Sequence, residues 1–270
     1  MDTKITCVMI IDWETSIGSD LLSNIEQLFE RYNLAPYDGA GSVGEKNTQG
    51  IYSRVKKRLS SFLEAGNADS VFHDIRVLSE KKYEDALPFC PSALGVAWVS
   101  GARKDRKAIF YIRNDFLETE QQFISDVERY FCSHLGEFYG AVFELSADLG
   151  PAYYLSSIVT ASSQLNFKPS AEYKERITRW RDNINRGNYP RSGFFREIYP
   201  KNYITNAHLN KKFKGVDLKN FMEQNGKLEK TSFNPNVYRW DVLDANRNNV
   251  QNILEESGII LSSKFVTTAN

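Results

Sequence analysis

The spacing of apolar positions changes along the chain, and each change predicts an element. Residues 5–11 make a short apolar run rich in Val and Ile, ended at once by Asp12 and Glu14, which predicts a strand covered on both faces. Leu21, Leu22, Ile25, Leu28, Phe29 and Tyr32 then recur at helical spacing, with Gly18-Ser-Asp20 offering the cap. Residues 33–50 contain Pro36, Gly39, Gly41, Gly44 and Gly50 and read as a long loop. A second helix is marked by Ile51, Val55, Leu59, Phe62 and Leu63 and stopped by Gly66.

Strands are predicted at 71–78, 94–99, 108–113 and 139–145, with an acidic loop at 79–92 and a charged hairpin tip at 100–107. Phe123, Val127, Tyr130, Phe131 and Leu135 place a helix over 119–135, ending at Gly136. The first 146 residues thus predict helices on one face of a mostly antiparallel sheet. Further on come a helix over 169–184, a strand pair at 227–231 and 237–243 about Asn234-Pro-Asn236, and a helix over 246–256. The most distinctive stretch, 193–226, sets Phe194, Phe195, Tyr199, Tyr203, Phe213 and Phe221 among basic and amide side chains. It reads as an anchor that docks the C-terminal strand pair onto the sheet, turning at Tyr199-Pro200 and at Gly215.

The expected fold class is α+β, a mostly antiparallel sheet with helices packed on it, as one compact domain or two closely packed halves. An acidic N-terminal α/β layer spans 1–150, a C-terminal helix and strand-pair region packed on it spans 151–262, and 263–270 is expected to be a frayed tail.

Composition alters this picture mainly through its distribution. The 270 residues are 41% hydrophobic and 25% charged, ordinary for a folded soluble chain, and 34 basic residues balance 34 acidic ones. Residues 1–150 nevertheless carry 16 basic against 23 acidic side chains, and residues 151–230 carry 15 against 7. An acidic end and a basic end are expected. Cys7, Cys90 and Cys132 are odd in number and lack metal-site spacing, so reduced thiols in a cytoplasmic protein are expected. No apolar run approaches the ~20 residues of a membrane span, and the start of the chain does not read as a signal peptide.

One motif carries a suggestion of chemistry. Ile10-Ile-Asp-Trp-Glu14 resembles the first motif of DEDD-type exonucleases, where an Asp and a Glu hold divalent metals, and it opens the alternative of a metal-dependent nuclease or phosphoryl-transfer enzyme using Asp12 and Glu14. The two further acidic motifs such enzymes need have no counterpart here. An acidic strand end is the simpler account. His73, His134 and His208 are scattered, the cysteines sit in apolar runs without a base, and the glycines of 39–44 lack the Lys of a phosphate loop. No catalytic residue, metal or cofactor is expected. Basic and aromatic residues interleave over 174–219, but the aromatics fall on a core stripe, so nucleic acid is not the expected partner.

The order of elements resembles the immunity proteins of bacterial polymorphic and type VI secretion toxins. The similar features are the strand and helix of 109–135, the aromatic strand of 139–145, Phe195-Arg-Glu-Ile-Tyr-Pro-Lys-Asn-Tyr-Ile-Thr205 with His208-Leu209, Gly215-Val-Asp-Leu218 and Tyr238-Arg-Trp240. They span residues 90–262, and the N-terminal third has no counterpart. The resemblance implies a cytoplasmic, non-enzymatic protein that neutralises a cognate toxin by occlusion, with no membrane partner. Many such toxins are nucleases with basic grooves, which gives an acidic surface a purpose. Asp12, Glu14, Glu80, Glu84 and Asp85 are therefore the candidate toxin-binding residues. A homodimer, or a phage or mobile-element protein that binds another bacterial protein, remains an alternative.

Overall fold

The computed structural model describes residues 4–15, 20–43, 46–64, 72–79, 93–99, 106–146, 151, 154, 170–213 and 215–264. Among them ten strands build one antiparallel sheet. In chain order these are β1 (Lys4–Ile11), β2 (Asp38–Val43), β3 (Lys46–Ile51), β4 (Phe72–Leu78), β5 (Leu94–Val99), β6 (Lys107–Arg113), β7 (Tyr139–Ser146), β8 (Lys201–Thr205), then β11 (Gly226–Lys230) and β12 (Val237–Val242). A separate short ladder joins β9 (Lys212–Phe213) to β10 (Val216–Asp217). Seven described helices accompany them: α1 (Leu21–Arg31), α2 (Tyr52–Glu64), α3 (Glu120–Phe131), α4 (Ala171–Asn185), α5 (Asn206–Leu209), α6 (Leu218–Asn225) and α7 (Arg247–Glu256).

Across the large sheet the strand order is β3-β2-β4-β5-β6-β1-β7-β8-β12-β11. Strand β1 is central, paired with β6 on one side and β7 on the other. Its side chains alternate as a strand requires: Val8 and Ile10 enter one core, whereas Ile5, Cys7, Met9 and Ile11 enter the other. This explains the continuous apolar run. Such runs are usual in parallel sheets, and here an antiparallel strand has one because both faces are covered.

The N-terminal helices α1, α2 and α3 share the first core with Trp98, Phe110 and Ile112. That agrees with helices lying on one face over the first 146 residues. The second core belongs to the C-terminal part, where Trp180 of α4, Phe221 and Met222 of α6, and Val250 and Leu254 of α7 pack on the opposite face. Two helix starts are closed by side-chain caps: Thr119 accepts the N–H of Gln122 at 3.2 Å, and Ser170 accepts that of Tyr173 at 3.0 Å.

The 193–226 stretch does what its aromatics predict. Phe194, Phe195, Tyr199 and Tyr203 are buried, and β8 lies between β7 and β12, so it joins the C-terminal strand pair to the rest of the sheet. Phe195 N–H and C=O also bond to the chain at Ile259 and Leu261. Gly215 turns at φ 77°.

Two expectations change. Residues 38–43 and 46–51 are not loop but the paired strands β2 and β3, because their glycines let α2 approach: a side chain at Gly41 would stand 3.2 Å from Leu59. Ile51 ends β3 half exposed, and Tyr52, Val55 and Leu59 are the buried stripe of α2. Of the tail expected at 263–270, residues 265–270 lie outside the described residues; Ser263 is buried, and beside it Ser262 donates to the carbonyl of Arg196 at 3.0 Å. Of the predicted acidic loop and hairpin tip, residues 80–92 and 100–105 lie outside the described residues.

Candidate functional site

Asp12 and Glu14 follow the last residue of the central strand. Asp12 leaves the sheet at φ 58°, a left-handed conformation that Asp tolerates better than most residues, while its N–H still bonds to the carbonyl of Arg106 at 2.8 Å. The turn that follows is fastened to the end of α3, with the N–H groups of Glu14 and Thr15 donating to Leu135 and the Thr15 hydroxyl to His134. Gly136, at φ 65°, permits the close approach, since a Cβ there would lie 3.0 Å from the Glu14 carboxylate.

Into this corner comes Arg191, on a short 3-10 turn at Pro190–Ser192. Its backbone N–H donates to Asp12 Oδ2 at 3.2 Å, its Nε stands 3.8 Å from Asp12 Oδ1, and its Nη1 is 3.1 Å from Glu14 Oε1. From the other side the guanidinium of Arg106 donates to the carbonyls of Trp13, Glu14 and Thr15 at 3.3, 2.7 and 2.9 Å. Asn234, in the turn between β11 and β12, adds a bond to Gly136 O at 2.6 Å. Burial pushes the Asp12 carboxyl up from its usual range, and Arg191 and Arg106 pull it partly back. The corner is an ionic clasp between the two halves of the sequence, with an arginine where a catalytic pair would hold its metal. Among the described residues no group of three or more His, Cys, Asp or Glu could hold a metal ion.

The candidate residues fall into different places. Asp12 is 6% exposed and engaged within the molecule, whereas the Glu14 side chain is half exposed. Glu80, Glu84 and Asp85 lie outside the described residues. The described residues on either side of them are Ser79 and Ala93, and the register Leu94↔Ile112 and Ile112↔Thr6 sets Leu94 near the start of β1. Asp12 follows the far end, where Ile11 pairs with Lys107. Six residues of strand, ~20 Å, separate those levels.

Among the described residues His208, Cys7 and Cys132 are structural. His208 is fully buried; its Nδ1 accepts the N–H of Thr205 at 3.2 Å, so its Nε2 carries the proton and donates to Phe194 O at 3.2 Å. Burial lowers its pKa to about 3, so the ring is neutral. Burial likewise pushes the Cys7 and Cys132 thiols well above their usual range, which leaves them unreactive.

A second cluster had no signature in the sequence. Arg196 is 1% exposed, with its guanidinium 4.3 Å from the Tyr154 ring and 5.2 Å from the Trp180 ring, and Nη2 donating to Tyr154 O at 2.8 Å. Next to it, Arg176 bridges Glu197 at 3.0 Å and Glu255 at 2.9 Å and donates to Ser262 at 3.1 Å. These side chains come from five separated parts of the chain, so only the fold assembles them. Beside Tyr154 and Tyr199 opens a cleft of about 740 Å³, rimmed by Lys4, Lys201, Arg247, Glu120, Glu144 and Asp244. Its charges balance.

Among the described residues no helix is long and apolar enough to cross a membrane. Searches of protein-family models and of curated proteins find no match to the chain. Among solved structures it is similar to a Pseudomonas aeruginosa T6SS protein, PA0821, at a TM-score of 0.47 and 9% identity, over 99% of this chain and 76% of that one.

Proposed function

We propose that this protein is a non-enzymatic immunity protein that binds and neutralises a cognate bacterial toxin by occlusion. The observation that carries the reading is the separation of charge by the sheet. Its first seven strands in spatial order, β3 through β7, all come from residues 38–146 and 4–11, and the last three from residues 201–242. Those seven strands belong to the acidic part of the sequence, which carries 16 basic against 23 acidic side chains over residues 1–150. A surface of one sign steers and orients a partner of the other, such as the basic groove of a nuclease toxin. Glu14, half exposed beside its clasp, and Glu80, Glu84 and Asp85 are the carboxylates assigned to that contact. Asp12, buried beneath Arg191, supports the surface from within.

The clasp also favours this reading over a metal-dependent enzyme, because a divalent ion between Asp12 and Glu14 would have to displace Arg191. Expression of the gene adjacent to the one for this chain, alone and together with it, tests the proposal. Toxicity relieved by the wild-type chain, and restored by Glu80→Lys/Glu84→Lys/Asp85→Lys, is the expected result; toxicity unchanged by the wild-type chain overturns the reading.

A further inference from the structure

The two edges of the sheet are built differently. At one edge β11, Gly226-Lys-Leu-Glu-Lys230, holds three charges in five residues, with Lys227 and Glu229 paired at 2.7 Å. Charged edges of this kind resist further pairing. At the other edge β3, Lys46-Asn-Thr-Gln-Gly-Ile51, has a single charge, at its first position. Its Asn47, Gln49 and Ile51 are exposed, and among the described residues β2 is its one neighbour in the sheet. Half-exposed Ile51 pairs with Asp38, the residue after Tyr37, whose ring is also exposed. Tyr37 and Ile51 are two of the five large exposed apolar side chains among the described residues, one on each face of the sheet at this end of the hairpin.

Charge adds a direction. Between Glu45 and Glu64 the chain has five basic residues and no acidic one, inside the otherwise acidic half. Lys56 is taken up by Glu26 at 2.8 Å. Arg54, Lys57 and Arg58 are exposed. Arg54 and Arg58 are one turn apart on the same stripe of α2, and the Arg58 guanidinium donates to the Thr48 hydroxyl of β3 at 3.2 Å, which sets that stripe along the open edge. Of the nearby carboxylates, Asp38 is buried and Asp74 bonds the Ser42 hydroxyl.

We infer that the β3 edge, flanked by Arg54 and Arg58, is a docking site for an extended acidic peptide segment of a partner protein, which joins the sheet as an added strand. Main-chain hydrogen bonds to β3 would supply the affinity, Ile51 would meet apolar side chains on one face of the added strand, and the two guanidinium groups, on the face that α2 covers, would pair with carboxylates on the other. The test of this site needs no toxin.

A labelled decapeptide alternating valine and glutamate, titrated into the full chain and followed by fluorescence anisotropy, provides that test. Saturable binding is expected, weakened about tenfold or more by Arg54→Glu/Arg58→Glu. These residues are on the surface, so thermal melts followed by circular dichroism should match wild type. A strand in a ladder turns alternate amides toward its neighbour, so N-methylation of one alternate set should abolish binding and of the other set should leave it within about twofold. Absence of binding, equal loss from both methylated sets, or equal binding of a valine and lysine peptide would overturn the inference. Displacement of the peptide by a ten-nucleotide single strand at lower concentration would do so too, by making nucleic acid the occupant.

Discussion

The backbone N–H of Arg191 donates to the carboxylate of Asp12 at 3.2 Å across 179 positions of sequence. With the same residue's guanidinium reaching Glu14 at 3.1 Å, one side chain secures the exit of the central strand to the C-terminal half. Arg191→Met removes the ionic contacts but keeps the N–H, and it leaves Asp12 buried with less compensation. A loss of about 1–3 kcal/mol in urea unfolding is expected. Arg191→Lys should recover part of it, because a point charge replaces the fork without its geometry.

Asp12 also marks the pH dependence. Its folded pKa lies above the unfolded value of about 3.9, so the folded state binds that proton more tightly. The stability due to this group is full below the unfolded pKa and is lost as pH rises through the raised folded one. Asp12→Asn cannot titrate. The difference in melting temperature between the variant and wild type should shift in favour of the variant as pH rises from 4 to neutrality in a series of buffers, and a constant difference would contradict the assignment.

His208 acts with the opposite sign. Its folded pKa is about 3 and the unfolded one about 6.5. The unfolded chain therefore takes up the proton first as pH falls below about 6.5, and this site removes stability at about 1 kcal/mol per pH unit down toward the folded pKa. Protonation of Nδ1 would also cancel the bond from Thr205 N–H. Denaturant midpoints measured from pH 7 to pH 4.5 should fall steeply for wild type and less steeply for His208→Gln, which starts from a lower stability at pH 7.

Tyr199 tests the anchor. It is 5% exposed, its ring centroid is 4.9 Å from that of Phe143, and its hydroxyl lies 2.7 Å from that of Tyr154. Tyr199→Ala should lower stability by ~3 kcal/mol through the cavity it leaves, and Tyr199→Phe by about 1 kcal/mol through the hydroxyl contact alone. Equilibrium unfolding near wild type for the alanine variant would return the stretch to the surface.

Most elements were legible because burial writes a period into the sequence. The stripe from Leu21 to Phe29, the run from Ile5 to Ile11 and the aromatics from Phe194 to Tyr203 each met a core of the expected kind. The clasp was legible by half: Asp12 and Glu14 stood out as an acidic strand end, but their partner Arg191 lies in a Pro/Gly-rich turn with no periodic signal. The Arg196 cluster could not be read at all. Its members are set by packing between remote segments, and an arginine among tyrosines looks in sequence like any polar and aromatic mixture.

The β2–β3 hairpin was missed because its glycines imitate a loop, and the same glycines make it testable. A Cβ at Gly41 would lie 3.1 Å from the Asp74 carbonyl and 3.2 Å from Leu59 Cδ1, so the residue lets α2 rest on the strand. Alanine there must push Leu59 or the backbone by a few tenths of an ångström, whereas valine, a better strand former in isolation, must displace the helix. If intimate packing is the reason for glycine, Gly41→Ala should cost about 1–2 kcal/mol and Gly41→Val clearly more. Amide exchange should then quicken in α2 and β3 before it does in β1, since β1 is shielded by both cores. Should Gly41→Val instead stabilise the protein, the strand's own propensity would outweigh the contact with α2, and the hairpin would not depend on the helix that covers it.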